Sequence, residues 1–225
     1  KIKYGTDNMA KGPAMSREEA VKAIEVGISM VADLKEKGYN VLATGEMGIG
    51  NTTTSSAVCS VLLDQSVEKV TGKGAGLTNK DLEHKIEVIR QSIALNKVNA
   101  DDPLDVLAKV GGLDIAGMAG CYIGGAALNI PVFIDGFISS VAALIAIRLV
   151  PECAPYLFPS HCSNEPAGRM ILDAIGKQPY ILANMCLGEG TGAVMGFTIA
   201  DYAFKAYWEL PSFEQTNFGT YEELN

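Results

Sequence analysis

Tyr39-Asn40-Val41-Leu42-Ala43-Thr44 runs into Gly45-Glu46-Met47-Gly48-Ile49-Gly50-Asn51 and then into Thr52-Thr53-Thr54-Ser55-Ser56-Ala57. A short apolar strand, a glycine-rich loop and a helix start, in that order, place backbone N–H groups at the carboxyl edge of a parallel sheet. The preceding segment reads just as clearly. Ser16 and Glu19 form an S-x-x-E capping box, Val21, Ile24, Ile28 and Val31 mark an apolar helix face, and Gly38 supplies the stop.

The same order recurs downstream. Residues 131–135 (Pro-Val-Phe-Ile-Asp) read as a strand closed by Gly136 and followed by an apolar helix over 137–149. Residues 156–159 form a further strand candidate leading to Ser160-His161-Cys162-Ser163, with a helix expected over 167–175. Residues 180–185 lead into Leu187-Gly188-Glu189-Gly190-Thr191-Gly192-Ala193 and a long helix to about Leu210. Between these lies Thr71-Gly72-Lys73-Gly74-Ala75-Gly76, ahead of a helix with Thr78 and Asp81 at its start. Its apolar face of Leu82, Ile86, Ile89 and Ile93 turns Lys85 sideways from the core. Asp101, Asp102 and Pro103 punctuate a connection, and the Gly- and Ala-rich stretch 111–129 suits a helix packed closely on a neighbour. Strands alternating with helices predict an α/β fold with a mainly parallel, Rossmann-like sheet covered on both faces. One large domain is expected over residues 1–210, with 211–225 as a polar tail.

Composition narrows the function. The 225 residues carry a net charge of −8, which repels nucleic acid and anionic membrane, so neither is an expected partner. Cys59, Cys121, Cys153, Cys162 and Cys186 are odd in number and contain no Cys-x-x-Cys pair, which argues against a disulfide framework or structural zinc and fits a reducing cytoplasm. Only His84 and His161 are available as imidazole ligands, so a His-rich metal centre is not expected. The apolar run 137–149 is too short to span a bilayer and reads as a buried helix.

The glycine loops invite a dinucleotide-binding reading, and the spacing rejects it. Thr53 stands where a G-x-G-x-x-G motif after Gly48 and Gly50 requires its third glycine, and no Gly-Lys-Ser/Thr triplet occurs. The loops still have the character of an anion or sugar cradle. Glu189, flanked by Gly188 and Gly190, has little bulk beside it, and partial burial would raise its pKa towards the range useful to a general base. A helix-start acid favoured by the macrodipole has the same local sequence. Glu46 offers the same choice between substrate contact and capping of the Thr52 helix. Asp135 is placed either to bind a ribose hydroxyl or to cap the Phe137 helix. Ser163 and Lys85 suit phosphate contacts or a plain turn and a solvated helix face, and His161 reads as a structural hydrogen-bonder.

In combination the loops are more specific. Residues 45–53, Thr71-Gly72-Lys73-Gly74, Ser160-His161 with Glu165-Pro166-Ala167-Gly168, and residues 187–193, with Gly5-Thr6 and Pro13-Ala14-Met15 near the start, resemble the nicotinate-nucleotide:dimethylbenzimidazole phosphoribosyltransferase family. The resemblance implies transfer of 5-phosphoribosyl from nicotinate mononucleotide to an aromatic base. It also implies a Rossmann-like domain plus part of a small helical domain that takes in the tail, in a homodimer or a heterodimer with a paralogue, with no metal or organic cofactor. Relatives using phenols, p-cresol or adenine, and a non-catalytic nucleotide-binding subunit, are the alternatives within it. Carried over by motif, Glu189 is the catalytic base, Leu187 lines the base pocket beside it, and Gly188 is a substrate-binding residue. Glu46 and Gly48 border the nucleotide, Asp135 and Gly136 the ribose, and Gly74, Lys85 and Ser163 the phosphate. The resemblance further implies an additional N-terminal segment in relatives, supplying part of the small domain.

Overall fold

The structure, a computed structural model, describes residues 1–74 and 76–216. Helix α1 (Arg17–Glu36) begins with the expected capping box: Ser16 Oγ accepts from Glu19 N at 3.1 Å and Glu19 Oε2 from Ser16 N at 2.9 Å. It ends in a Schellman motif, with Gly38 at φ +88° and bonds from Gly38 N to Lys35 O (2.9 Å) and from Tyr39 N to Leu34 O (3.1 Å). That ending takes up Tyr39, so β1 is only Leu42–Ala43, shorter than the run 39–44 read as a strand.

Strands β1, β2 (Val132–Ile134) and β3 (Leu157–Pro159) form one parallel sheet in chain order. Leu42 pairs with Val132, and Phe133 with Phe158. Residues 180–185 extend it past β3 by a single parallel bridge, His161 to Ile181. The two faces differ. Val132 and Ile134 point into the core beneath α6 (Leu113–Ala127) and α7 (Phe137–Leu149), and α7 is buried from Phe137 to Ala146. Phe133 points the other way, meeting Phe158 at 5.7 Å and Phe197 of α9 (Thr191–Glu209) at 4.9 Å. Beyond that contact α9 leaves Tyr202, Phe204, Tyr207 and Trp208 exposed. No described helix is long and apolar enough to cross a membrane.

Three helix readings change. In α1 the packing face is Ala20, Ala23, Ile24, Gly27 and Val31, while Val21 is exposed. The cause is a close crossing with the Gly- and Ala-rich α6, since a Cβ on Gly27 would lie 2.0 Å from Gly117 O. In α4 (Asn79–Asn96) the fully buried stripe is Lys85, Ile89, Ser92 and Asn96, with Ile86 and Ile93 partly buried against the core beside it, so Lys85 faces inward rather than sideways. Where the sequence suggests only a connection, α5 (Pro103–Val110) forms, capped by Asp102 with Pro103 in its first turn. Of the tail, 211–216 are irregular and 217–225 lie outside the described residues.

Candidate active site

The loops that leave β1, β2 and β3 and the one that opens α9 converge on a cavity of about 420 Å³ at the carboxyl edge of the sheet. β1 contributes Glu46 and Gly48, β2 contributes Asp135 and Gly136, β3 leads to His161 and Ser163, and the last loop brings Leu187, Gly188 and Glu189. Gly74 joins from the loop before α4, so nine of the ten expected site residues line one cavity. The tenth, Lys85, stands one layer back, behind Thr52.

Glu189 sits on an unusual turn. Gly188, Glu189 and Gly190 are all left-handed, at φ +77°, +57° and +78°. A non-glycine residue there costs on the order of 1 kcal/mol, so the surroundings must hold it. Glu189 N donates to Glu46 O at 2.9 Å, and Thr191 Oγ1 donates to Gly188 O at 2.7 Å. Gly45 fits beneath, where a Cβ would lie 2.4 Å from Gly190 N. The side chain reaches the cavity, but the expected partial burial is not found. Glu189 is exposed, as is Leu187 at 64%, because the turn carries both to the cavity rim, where no described element covers them.

Asp135 departs from its capping reading. The N-cap of α7 is Gly136, with no side-chain bond. Asp135, 1% exposed, instead accepts from Gly190 N (2.9 Å), Gly192 N (2.9 Å) and Ala193 N (3.2 Å), capping α9 across the sheet. Glu46 also departs from its own capping alternative, because its Oε2 accepts from Gly48 N at 2.8 Å, within its own loop. His161 is buried, with Nδ1 3.0 Å from Ser160 Oγ, and burial pushes the imidazole below its usual pKa despite nearby Asp135.

At the opposite end, Lys85 Nζ donates to Thr52 Oγ1 (2.9 Å) and Gly72 O (3.1 Å). Burial pushes its ammonium below the usual lysine value, and Glu165 counters. Glu165, lining the cavity, is pushed up by burial and pulled down by Lys85. Thr52 and Glu165 are site residues that the sequence reading did not select. Thr52 was detectable as the first helical residue after a glycine loop. Glu165 stands in a motif that carries the resemblance, but its pairing with Lys85 on a distant helix has no local signal.

The family model described as phosphoribosyltransferase matches residues 1–218. Nicotinate-nucleotide–dimethylbenzimidazole phosphoribosyltransferase of Ruminiclostridium cellulolyticum is 55% identical over 224 residues, covering 100% of this chain and 64% of that one. The protein of the same name from Clostridium acetobutylicum is 50% identical, over 100% and 64%. Among solved structures, CobT from Thermus thermophilus superposes with a TM-score of 0.91 at 34% identity, over 97% of this chain and 65% of that one. The chain thus spans 64% of the length of both curated relatives.

Proposed function

This chain belongs to the phosphoribosyltransferase family, and we propose from that membership that the whole protein transfers 5-phosphoribosyl from nicotinate mononucleotide to 5,6-dimethylbenzimidazole. The products are α-ribazole 5′-phosphate and nicotinate, as in assembly of the cobalamin nucleotide loop. The observation that carries the reading is the left-handed turn that sets Glu189 on the same cavity as Gly74, Ser163 and the Thr52 helix start.

In this reading the phosphate rests at the inner end, on Gly74 and Ser163, with Lys85 behind Thr52 supplying positive charge. Glu46 and Gly48 border the nucleotide, and Gly136 flanks the ribose, with Asp135 buried behind it. The base lies on Leu187 and Gly188 at the rim. Glu189 removes the N–H proton of the azole while the other ring nitrogen attacks the anomeric carbon from the face opposite nicotinate. Nicotinate leaves with the bonding pair, which neutralises its pyridinium nitrogen, and the proton ends on Glu189. Inversion follows from the opposed faces. Positive charge that develops on the sugar is met by the carboxylates of Glu46 and Glu189. The exposed rim is where a further segment or subunit would close over the base, and the aromatic stripe of α9 supports assembly as a homodimer. The odd set of free cysteines supports a cytoplasmic setting.

The test uses the full-length protein. Nicotinate release from nicotinate mononucleotide should require added base. Glu189→Gln should lower turnover by about 10² or more while leaving nucleotide affinity by calorimetry nearly intact. Unchanged turnover would refute the role.

A further inference from the structure

We propose that Asp135 is a positioning residue which locks the Glu189 turn, acting through that turn rather than on the sugar. The inference rests on the reading of Glu189 as the base.

The carboxylate of Asp135 faces three main-chain donors at once. Two of them, Gly192 and Ala193, belong to the first turn of α9, whose N–H groups have no partner inside the helix. The third is Gly190, the last left-handed residue of the turn. The N-cap of α9 is that same glycine, which has no side chain to cap with, so β2 supplies the capping carboxylate from across the sheet. On its other side the turn is held by Glu46 O, which accepts from Glu189 N at 2.9 Å. Glu189 is therefore pinned between the loops that leave β1 and β2.

Two further observations point the same way. A Cβ on Gly192 would lie 2.0 Å from His161 Nδ1 and 3.0 Å from Asp135 Oδ1, so glycine is what lets the helix end settle onto the carboxylate. His161 does not compete for the role of partner, because its Nδ1 is 3.9 Å from Oδ1, beyond hydrogen-bond range, and is taken by Ser160 Oγ at 3.0 Å. The charge of Asp135 is compensated by the main chain of the turn and helix, and both of its oxygens are engaged there before any substrate arrives.

A base displaced by about 1 Å loses on the order of 10² in rate. Asp135→Asn keeps the shape and turns an NH₂ group towards main-chain N–H groups that need an acceptor. In the full-length enzyme this variant should lose roughly 10² in kcat, with the KM for nicotinate mononucleotide and its calorimetric Kd nearly unchanged. The double variant with Glu189→Gln should be no slower than Glu189→Gln alone, since both changes remove the same function. A weakened nucleotide Kd, or losses that multiply in the double variant, would show Asp135 acting on substrate directly and overturn the inference while sparing Glu189. Full turnover in Glu189→Gln would overturn both. If Asp135→Asn melts too low to assay, a crystal structure of the wild type with nicotinate mononucleotide decides. A ribose hydroxyl hydrogen-bonded to Asp135 overturns the proposal, and retention of its three main-chain bonds with no ribose contact supports it.

Discussion

At its inner end the cavity is walled by Thr52 at the start of α2 (Thr52–Leu62), Gly74 and the loop before α8 (Gly168–Ala174), and behind Thr52 stands Lys85 of α4, only 7% exposed and bonded to Thr52 and Gly72. At its outer end Glu189 is exposed, and Leu187, Met47 and Ile49 stand open at 64%, 60% and 75%. The helices behind the inner end are anchored in the common core, α2 through Val58 and α4 through Ile89. The outer end has the opposite character: main-chain hydrogen bonds hold the Glu189 turn, but the side chain stands open. Placing a carboxylate at the cavity rim and enclosing it are therefore separate tasks. Backbone geometry within this chain accomplishes the first, and no described element accomplishes the second.

The largest effect that would break this contrast comes from Lys85→Met. If the inner end is the phosphate site, removal of its ammonium loses a charge-assisted interaction of about 1.5 kcal/mol, roughly tenfold in nucleotide Kd by calorimetry. The KM for the base should not move. A base KM that rises with the nucleotide Kd would mean that the two ends are not distinct.

A smaller effect sharpens the electrostatics. Burial holds Glu165 above the usual carboxylate range, with Lys85 pulling the other way. The folded protein therefore keeps this proton more tightly than the unfolded chain, whose glutamates titrate at about 4.3. Stability falls as pH rises from there through the folded-state value, and the cost is fully present above it. Glu165→Gln should raise the melting temperature at neutral pH and lose that advantage below the unfolded value. It also removes a charge that repels phosphate, so inorganic phosphate should bind several-fold tighter by calorimetry. The gain is limited because Lys85 loses the carboxylate that supports its protonation. Weaker phosphate binding would show instead that Glu165 helps to build the site.

Much of this architecture was legible because it is locally encoded. The capping box and glycine stop of α1, the Thr78 cap of α4 and the strand–loop–helix order each depend on residues a few positions apart. The convergence of the glycine loops also followed, since every parallel strand delivers its loop to the same edge. What could not be read depends on a distant partner. Lys85 turned inward because α4, packed against α2 and α5, buries Ile89, Ser92 and Asn96 on the same side, a choice its own apolar residues do not reveal. Asp135 stands immediately before the N-cap of α7 in sequence, yet parallel strand packing places it against α9. The α5 start was readable and passed over: Asp102 followed by Pro103 is an N-cap and a first-turn proline, not only a punctuated connection.

The smallest effect tests the open end. Leu187 is 64% exposed, so its truncation should cost this fold little, and any effect on catalysis must arise when the base covers it. If the ring shields about one methylene's worth of its surface, Leu187→Ala loses about 0.8 kcal/mol, roughly fourfold in base KM. Nucleotide Kd and melting temperature should stay at wild-type values, in contrast to Lys85→Met. A drop in melting temperature would mean that Leu187 supports the Glu189 turn itself. An unchanged base KM would move the aromatic acceptor elsewhere on the rim, towards Met47 and Ile49, which flank the cavity from the β1 loop.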